Sequence, residues 1–543
     1  MTSPLDPITV EVIGSALSTI VEQMGKAIIR AAWSANIKER RDCSAAVFDA
    51  EGRVVAQAEQ IPFHLGSLLG ITAETLKRTE IATVMPGDVF IGNDAHTGGG
   101  THLNDIVFLE PVFAGGALVA WVANLAHHSD FVDRGHAHIF QEGLRIPPIR
   151  LYRAGALQQG VLDLVLLNCQ VPHERRNDFR AQMAANRLGV QRVQALCERH
   201  GVPTLGQAFR QLMDYSERKA RAGIAAIPDG RYEFREKFDT SLWPELLDLA
   251  VAVEVSGEAI TFDFTGCPAQ NRTGMNMVFT ALQAIVYYVV KTLIDADTPA
   301  NAGLHRPVTI VAPPGTVVNA LPPAAVYSRH EVAQRLADMM LSALWQAIPE
   351  RVIAAGTGIT VMTMSGAHPR SGRYYVYNES MGGGMGAGAA ADGMDGVHMH
   401  LTNSANIPVE ALESEYPMMV DCYELVRDSG GAGKFRGGMA IRRRISAVGH
   451  QASVNLGGPN NIVPAWGLDG GLAGGLARIE LGEGVRLVQR NGVIGDGQWA
   501  AAVTSGGGGF GDPRQRDRGL VRRDLREGRI SAEAARTLYG LED

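Results

Sequence analysis

Apolar residues recur at intervals of three and four near the start of the chain, at Val10, Ile13, Leu17, Ile20, Val21, Met24 and Ile28. This spacing puts them on one face of an amphipathic helix. Asp6-Pro7 marks its start, because proline is tolerated in the first helical turn. The period then shortens. Ala45-Ala46-Val47-Phe48 and Val54-Val55-Ala56 flank Asp49-Ala50-Glu51-Gly52 and read as a hairpin. A second hairpin is clearer: Ile106 to Phe113 and Ala117 to Leu125 flank Ala114-Gly115-Gly116. Residues 175–227 are charged, are interrupted only near Gly201-Val202-Pro203, and predict two helices. Alternation over 231–265 predicts strands, the apolar run 279–293 a buried helix, and about 330–347 another helix. The last third is mostly β by pattern (438–448, 475–490). Two short helices close it, at about 518–527 and 531–539, the second capped by Ser531. The pattern predicts an α+β, multi-domain chain with mixed, mostly antiparallel sheets and packed helices. Its expected parts are an N-terminal region (1–170), a helical segment (171–230), a central α/β region with a Gly-rich loop (231–430) and a mostly β C-terminal region with terminal helices (431–543).

Composition narrows the class. There are 50 Lys+Arg against 57 Asp+Glu in 543 residues, a net charge of −7, with no dense basic block. A nucleic-acid partner is therefore not expected, since neutralising phosphates takes clustered cations. Glycine, at 63 residues, is well above the usual ~7% and predicts much irregular backbone. The five cysteines form no CxxC pair, and their odd number points to a reduced, cytoplasmic setting. The N-terminal MTSPLDPITVEVIG lacks a basic stretch followed by an apolar core, so no signal peptide is expected. The run 279–293, the most apolar helix candidate, is shorter than the ~20 residues a bilayer needs, so no membrane partner is expected.

The densest chemistry lies in residues 93–138, which hold six of the 15 histidines. They read Asn93-Asp94-Ala95-His96, Thr101-His102-Leu103-Asn104-Asp105, Ala126-His127-His128-Ser129-Asp130, then His136 and His138. If the second hairpin turns near Gly115, antiparallel partners satisfy i + j ≈ 230. Asp105 then faces about residue 125, and His102 about residue 128. His102, Asp105 and His127 meet at the open end of the hairpin, where strands ~4.8 Å apart let them share one ion. Two imidazoles and a carboxylate suit Zn²⁺, Mn²⁺ or Fe²⁺. The alternative is a polar surface loop, and spacing alone leaves both readings open. His127 and His128 point in different directions if strand geometry persists, so His127 is the expected ligand of the two. His96, His136 and His138 are expected to be solvated or structural. Asp42, in Lys38-Glu39-Arg40-Arg41-Asp42-Cys43-Ser44, reads locally as part of a solvated charge cluster at a helix end.

The run NIKERRDCSAAVFDAEGRVVAQAEQIPFHLGSL resembles the hydantoinase B/oxoprolinase family. So do GDVFIGNDAHTGGGTHLNDIVFLEPVF, ANLAHHSDFVD, QEGLRIPPIRLYRAG, NAGLHRPV, GVHMHLTNSANIPVEALESEYP, DSGGAGKFRGGMAIRR and GGGGFGDP. The matches run in order from about residue 6 to 540. The resemblance implies the B subunit of an ATP-dependent hydantoinase, lactamase or oxoprolinase. It would be a hydrolase that opens the C–N bond of a small cyclic amide within a hetero-oligomer. ATP would be bound by a separate A-type subunit, which would phosphorylate the substrate oxygen. The resemblance implies metal ligands at Asp42, His102, Asp105 and His127, holding Zn²⁺ or Mn²⁺, and so replaces the solvated reading of Asp42. His128 and Asp130 would orient a ligand or move a proton. Where many relatives read NDPYxGGTH, this chain has NDAHTGGGTH, so His96 and the extra glycine are expected to alter the loop. The chain has no GxxxxGK[ST] segment, in keeping with ATP on the partner.

Two further segments carry polar or flexible character. His398, His400, Asn403, Asn406, Glu410 and Glu413 read first as turns and caps, or alternatively as part of a substrate pocket. The run Gly382–Gly386 is either a mobile loop or a close backbone approach to substrate. Gly383, Gly384 and His398 are accordingly the candidate substrate contacts. Two alternatives accompany the hydrolase reading: a subunit of an acetone- or acetophenone-type carboxylase, and a scaffold subunit without chemistry.

Overall fold

A computed structural model describes residues 4–58, 60–129, 137–488 and 490–542. The chain divides into two units: residues 1–229, 255–262 and 270–327 in one, and 230–254, 263–269 and 328–543 in the other.

The first unit is built on a seven-stranded sheet. Its strands are β1 (Cys43–Asp49), β2 (Val54–Gln57), β3 (Val89–Gly92), β4 (Asp105–Ala114), β5 (Ala117–His127), β6 (Ile149–Arg153) and β7 (Ala156–Leu157). Their order is β2-β1-β5-β4-β3-β6-β7, and every pairing is antiparallel. The helices of this unit include α1 (Pro7–Ala31), α2 (Ala35–Lys38), α3 (His64–Arg78), α4 (Gln159–Leu167), α5 (Pro172–His200), α6 (Val202–Ala225) and α7 (Phe279–Leu293).

Alternation along the strands sorts side chains to two faces. On one face Ala46, Phe48, Val107, Leu109, Ala123 and Leu125 pack with Leu68 and Ile71 of α3. On the other, Cys43, Ala45, Val47, Val122 and Ala126 pack against Ile13, Leu17, Val21 and Met24 of α1. α1 starts at Asp6, whose carboxylate accepts from the backbone N–H groups of Ile8 (2.9 Å) and Thr9 (3.3 Å). Among the described residues it is the one helix long and apolar enough to cross a membrane, but its apolar face is packed in this core.

The second hairpin has the expected turn but not the expected register. The turn pairs Ala114 with Ala117, one step from the assumed register, and a bulge between Val112 and Phe113 adds one more, so that Asp105 lies opposite His127 and Val107 opposite Leu125. Turn position alone could not predict the inserted residue, because a bulge sets two residues of one strand opposite one of its partner and so offsets every pair beyond it. α3 was not expected either. Gly66 and Gly70 lower helix propensity there. They are needed because α3 lies directly on neighbouring backbone: a Cβ on Gly70 would sit 1.9 Å from the carbonyl oxygen of Gly99.

In the second unit one sheet orders Tyr374–Met381, Thr360–Ala367, Ala452–Gly457, Asn491–Ile494 and Leu487–Val488. Another orders Met418–Leu425, Ile441–Ala447, Trp499–Val503 and Arg478–Leu481. Ser531 caps the last helix, Ala532–Thr537, accepting from Ala534 N at 3.1 Å. The glycine-rich runs are not free loops. Gly384 N donates to Ser505 O (3.0 Å), Gly438 N to Met385 O (2.7 Å), Gly507 N to Gly438 O (3.0 Å) and Gly431 N to Gly507 O (2.8 Å). These segments lie backbone to backbone, at separations that leave no room for side chains.

Candidate metal centre

Three adjacent strands bring the site together. Asp105 opens β4 and faces His127, the last residue of β5. Asp42 immediately precedes β1, and His127 N donates to its carbonyl at 3.0 Å. Asp42, His127 and Asp105 therefore form one row across β1, β5 and β4, on the face covered by α3. His102, in the turn before β4, completes a cluster with Asp105 and His127 in which the ligand atoms all lie within 4.8 Å of one another. His102 Nε2 and His127 Nδ1 lie 2.9 and 3.0 Å from the same oxygen, Asp105 Oδ1.

The surroundings hold this geometry. Ser67 on α3 donates to Thr101 Oγ1 at 3.0 Å, and Thr101 Oγ1 donates to Asp105 Oδ2 at 3.4 Å. Asn93 donates to Leu103 O (2.8 Å) and accepts from Ile146 N (2.7 Å), which pins the loop before His102. Asn36 donates to His127 O at 2.7 Å, and Arg40 donates to Asn36 Oδ1 at 2.6 Å. Arg41 takes a left-handed φ of 57° where the chain turns from α2 towards β1. That conformation is uncommon for a residue with a side chain.

Asp105 is fully buried and Asp42 is 8% exposed. Burial pushes both carboxyls up, yet each ends below the ordinary range. For Asp42 the opposing causes are the charge of His127, a hydrogen bond from His64 and the charge of Arg40; for Asp105 they are the charge of His102 and hydrogen bonds from His102 and His127. The cluster of two imidazoles and one carboxylate, with the Asp42 carboxyl in the same row, has the donor chemistry of a divalent-cation site.

The other sequence candidates fall elsewhere. His128 points to the opposite face, as alternation requires: its Nε2–H donates to Gln182 Oε1 (3.0 Å) and its Nδ1 accepts from Arg175 (2.6 Å), both on α5. Burial, reinforced by the Arg175 charge, holds its pKa well below the ordinary histidine value. Asp130 and His136 lie outside the described residues. His96 Nε2 is tied to Ala324 O at 2.8 Å. Gly383 and Gly384 lie in the second unit, and the space beside their Cα atoms holds Thr504, Ser505, Gly438 and Gly507. His398 Nδ1 meets Thr402 Oγ1 at 2.9 Å. Sequence reasoning passed over His64, whose Nε2 lies 3.3 Å from Asp42 Oδ1 and 3.9 Å from Asp105 Oδ1. Its available signal was its place in the family-like run ending PFHLGSL, beside a helix that had not been recognised.

Known proteins share both sequence and fold with this chain. It is 31% identical to the beta chain of the Pseudomonas jessenii caprolactamase over 569 residues, covering 99% of this chain and 96% of that protein. It is equally similar, 31% over 569 residues, to a protein of Pseudomonas sp. (strain NS671) assigned as the B component of a D-/L-hydantoinase, with 99% and 95% covered. The crystal structure of the ATP-dependent caprolactamase from Pseudomonas jessenii superposes with a TM-score of 0.86 at 29% identity, covering 100% of this chain and 97% of that one. The nucleotide-free acetone carboxylase structure shares the fold, with a TM-score of 0.90 at 18% identity and 99% and 80% covered. The hydantoinase B/oxoprolinase family profile matches residues 6–513. The chain belongs to the hydantoinase B/oxoprolinase family.

Proposed function

We propose that this chain is the metal-bearing B subunit of an ATP-dependent cyclic-amide hydrolase, opening a hydantoin-, oxoproline- or lactam-like ring. One observation carries the reading: the convergence of His102, Asp105 and His127 within 4.8 Å, with Asp42 beside them on the same sheet face. Similarity along the whole chain to a caprolactamase component supports the substrate class.

In this reading His102 and His127 offer neutral nitrogen lone pairs, while Asp42 and Asp105 offset the cation's charge. A bound divalent ion supplies Lewis acidity and a source of hydroxide near neutral pH. The buried floor of the site keeps Asp105 away from bulk water and fixed by Thr101. An A-type partner activates the substrate with ATP. Phosphorylating the amide oxygen removes the delocalisation that protects the C–N bond, so this chain receives an activated ring. The carboxylase alternative draws on likeness of fold to acetone carboxylase and on no other feature.

The test joins metal content to turnover. The wild-type chain should carry about one divalent ion and His102→Ala none. Ring opening should require ATP, the A-type partner and the metal-loaded chain together. Absence of metal from the reconstituted wild type overturns the metal centre. ATP-dependent turnover by the chain alone overturns the two-component account, and labelled bicarbonate appearing in product would favour the carboxylase.

A further inference from the structure

His64 sits at the metal centre, yet neither the ligand row nor the hairpin explains it. Its two ring nitrogens have different neighbours. Nδ1 lies 2.9 Å from Ser44 Oγ, and Nε2 lies 3.3 Å from Asp42 Oδ1. Ser44 decides which nitrogen carries the hydrogen. The Ser44 oxygen already accepts the Ile61 N–H at 3.4 Å. The oxygen could accept a second bond, so the direction turns on the hydroxyl hydrogen: among the described residues, His64 Nδ1 is the one acceptor that it reaches. The hydroxyl hydrogen therefore points to Nδ1, which accepts it. In the neutral ring the hydrogen then sits on Nε2, which donates to Asp42. His64 also stands outside the cluster whose ligand atoms all lie within 4.8 Å of one another, which takes in His102, Asp105 and His127.

Besides His64, the Asp42 carboxylate has buried Arg40 as an ion-pair partner. Arg40 stands 3.9 Å away, beyond hydrogen-bond reach. His64, by contrast, is rigidly held. It is 3% exposed, opens α3, and its helix is locked to the loop before His102 by Ser67 and Thr101. We infer that His64 is a positioning residue that fixes the Asp42 carboxylate at the metal centre, its orientation set by Ser44, and that it is not itself a ligand. This inference rests on the metal-centre reading above. Groups that hold a metal ligand in this way commonly contribute ten- to a hundredfold to affinity.

The experiment measures Zn²⁺ and Mn²⁺ affinity by competition with a chromogenic chelator, and records the visible spectrum of the Co²⁺-loaded protein. It compares the wild-type chain with His64→Gln, His64→Leu and His102→Ala. The glutamine amide can donate to Asp42 while its carbonyl accepts from Ser44. His64→Gln should therefore bind within about threefold of wild type with an unchanged cobalt spectrum, since the ligands are unchanged. His64→Leu should bind about 10- to 100-fold more weakly. If His64→Gln falls as far as His102→Ala and its cobalt spectrum shifts, His64 is a ligand and the inference is overturned. If His64→Leu binds like wild type, Asp42 needs no such support and the inference is again overturned. If the wild type itself binds no ion, the metal-centre reading has failed, a different pattern because His102→Ala then equals wild type. Thermal unfolding of each variant separates loss of fold from loss of metal. The near-isosteric glutamine variant still decides the question if the leucine variant does not fold.

Discussion

Gly384→Ala tests whether the glycine-rich runs are packed structure or substrate contacts. A Cβ at residue 384 would lie 2.0 Å from Gly438 O and 2.2 Å from Gly507 N. Those two atoms are themselves hydrogen-bonded, 3.0 Å apart, so the added methyl would sit on the bond between them. Both residues are buried, and water cannot replace the lost partner. Stranding a buried donor and acceptor costs about 1–3 kcal/mol each. Forcing the neighbouring backbone apart adds about 1–3 kcal/mol. The expected loss is therefore about 3–9 kcal/mol, comparable with the ~5–15 kcal/mol that holds a whole domain folded. Gly497→Ala is the control: its φ is 72° and nothing lies within 4 Å, so only the left-handed penalty of about 1–2 kcal/mol applies. Urea unfolding followed by tryptophan fluorescence should show the 384 variant melting far earlier than the 497 variant. A Gly384→Ala protein of wild-type stability that had selectively lost turnover would refute the packing argument. It would favour the substrate-contact reading of this run.

Two further outcomes follow from buried charges behind the site. Glu110 on β4 is 7% exposed, and burial pushes its carboxyl up to about 7, against the charge of Arg187. The folded chain then holds a proton that the unfolded chain releases near ~4.3, so stability falls as pH rises between those values. Glu110→Gln should therefore gain about 2–4 kcal/mol at pH 8 and nothing near pH 4.5, at about 1.4 kcal/mol per pH unit. Equal urea midpoint shifts at the two pH values would contradict this. Arg175 and Asp178 are both fully buried and paired at 3.2 Å on α5. Arg175→Met leaves Asp178 without its cation and should cost about 3–5 kcal/mol in the same assay; a change below about 1 kcal/mol would refute the pairing.

Local pattern alone located much of this protein. The period of Val10 to Ile28 predicted α1, and alternation on either side of Gly115 predicted the hairpin of β4 and β5. Local spacing also brought His102, Asp105 and His127 together, because three residues at one hairpin's open end can meet without help from distant chain. It separated His127 from His128 for the same reason, since neighbouring strand residues face opposite ways.

What lay beyond local pattern was decided by contacts between distant segments. Asp42 reads as a solvated charge until β1 pairs with β5 and sets it beside His127. Only then does its neighbourhood become buried and cationic. His64 joins the site because Gly66 and Gly70 let α3 lie against Thr280 and Gly99, a fit invisible to propensity. The register of β4 against β5 depended on the pairing at the turn and on one bulged residue. The glycine runs 382–386 and 506–509 look like flexible loops in isolation, yet they are packed backbone against backbone by hydrogen bonds to segments far along the chain. Periodicity reports which face a residue takes within its own element. Which element covers that face, and so whether a charge is solvated or buried among the candidate ligands, is set only when the chain is folded.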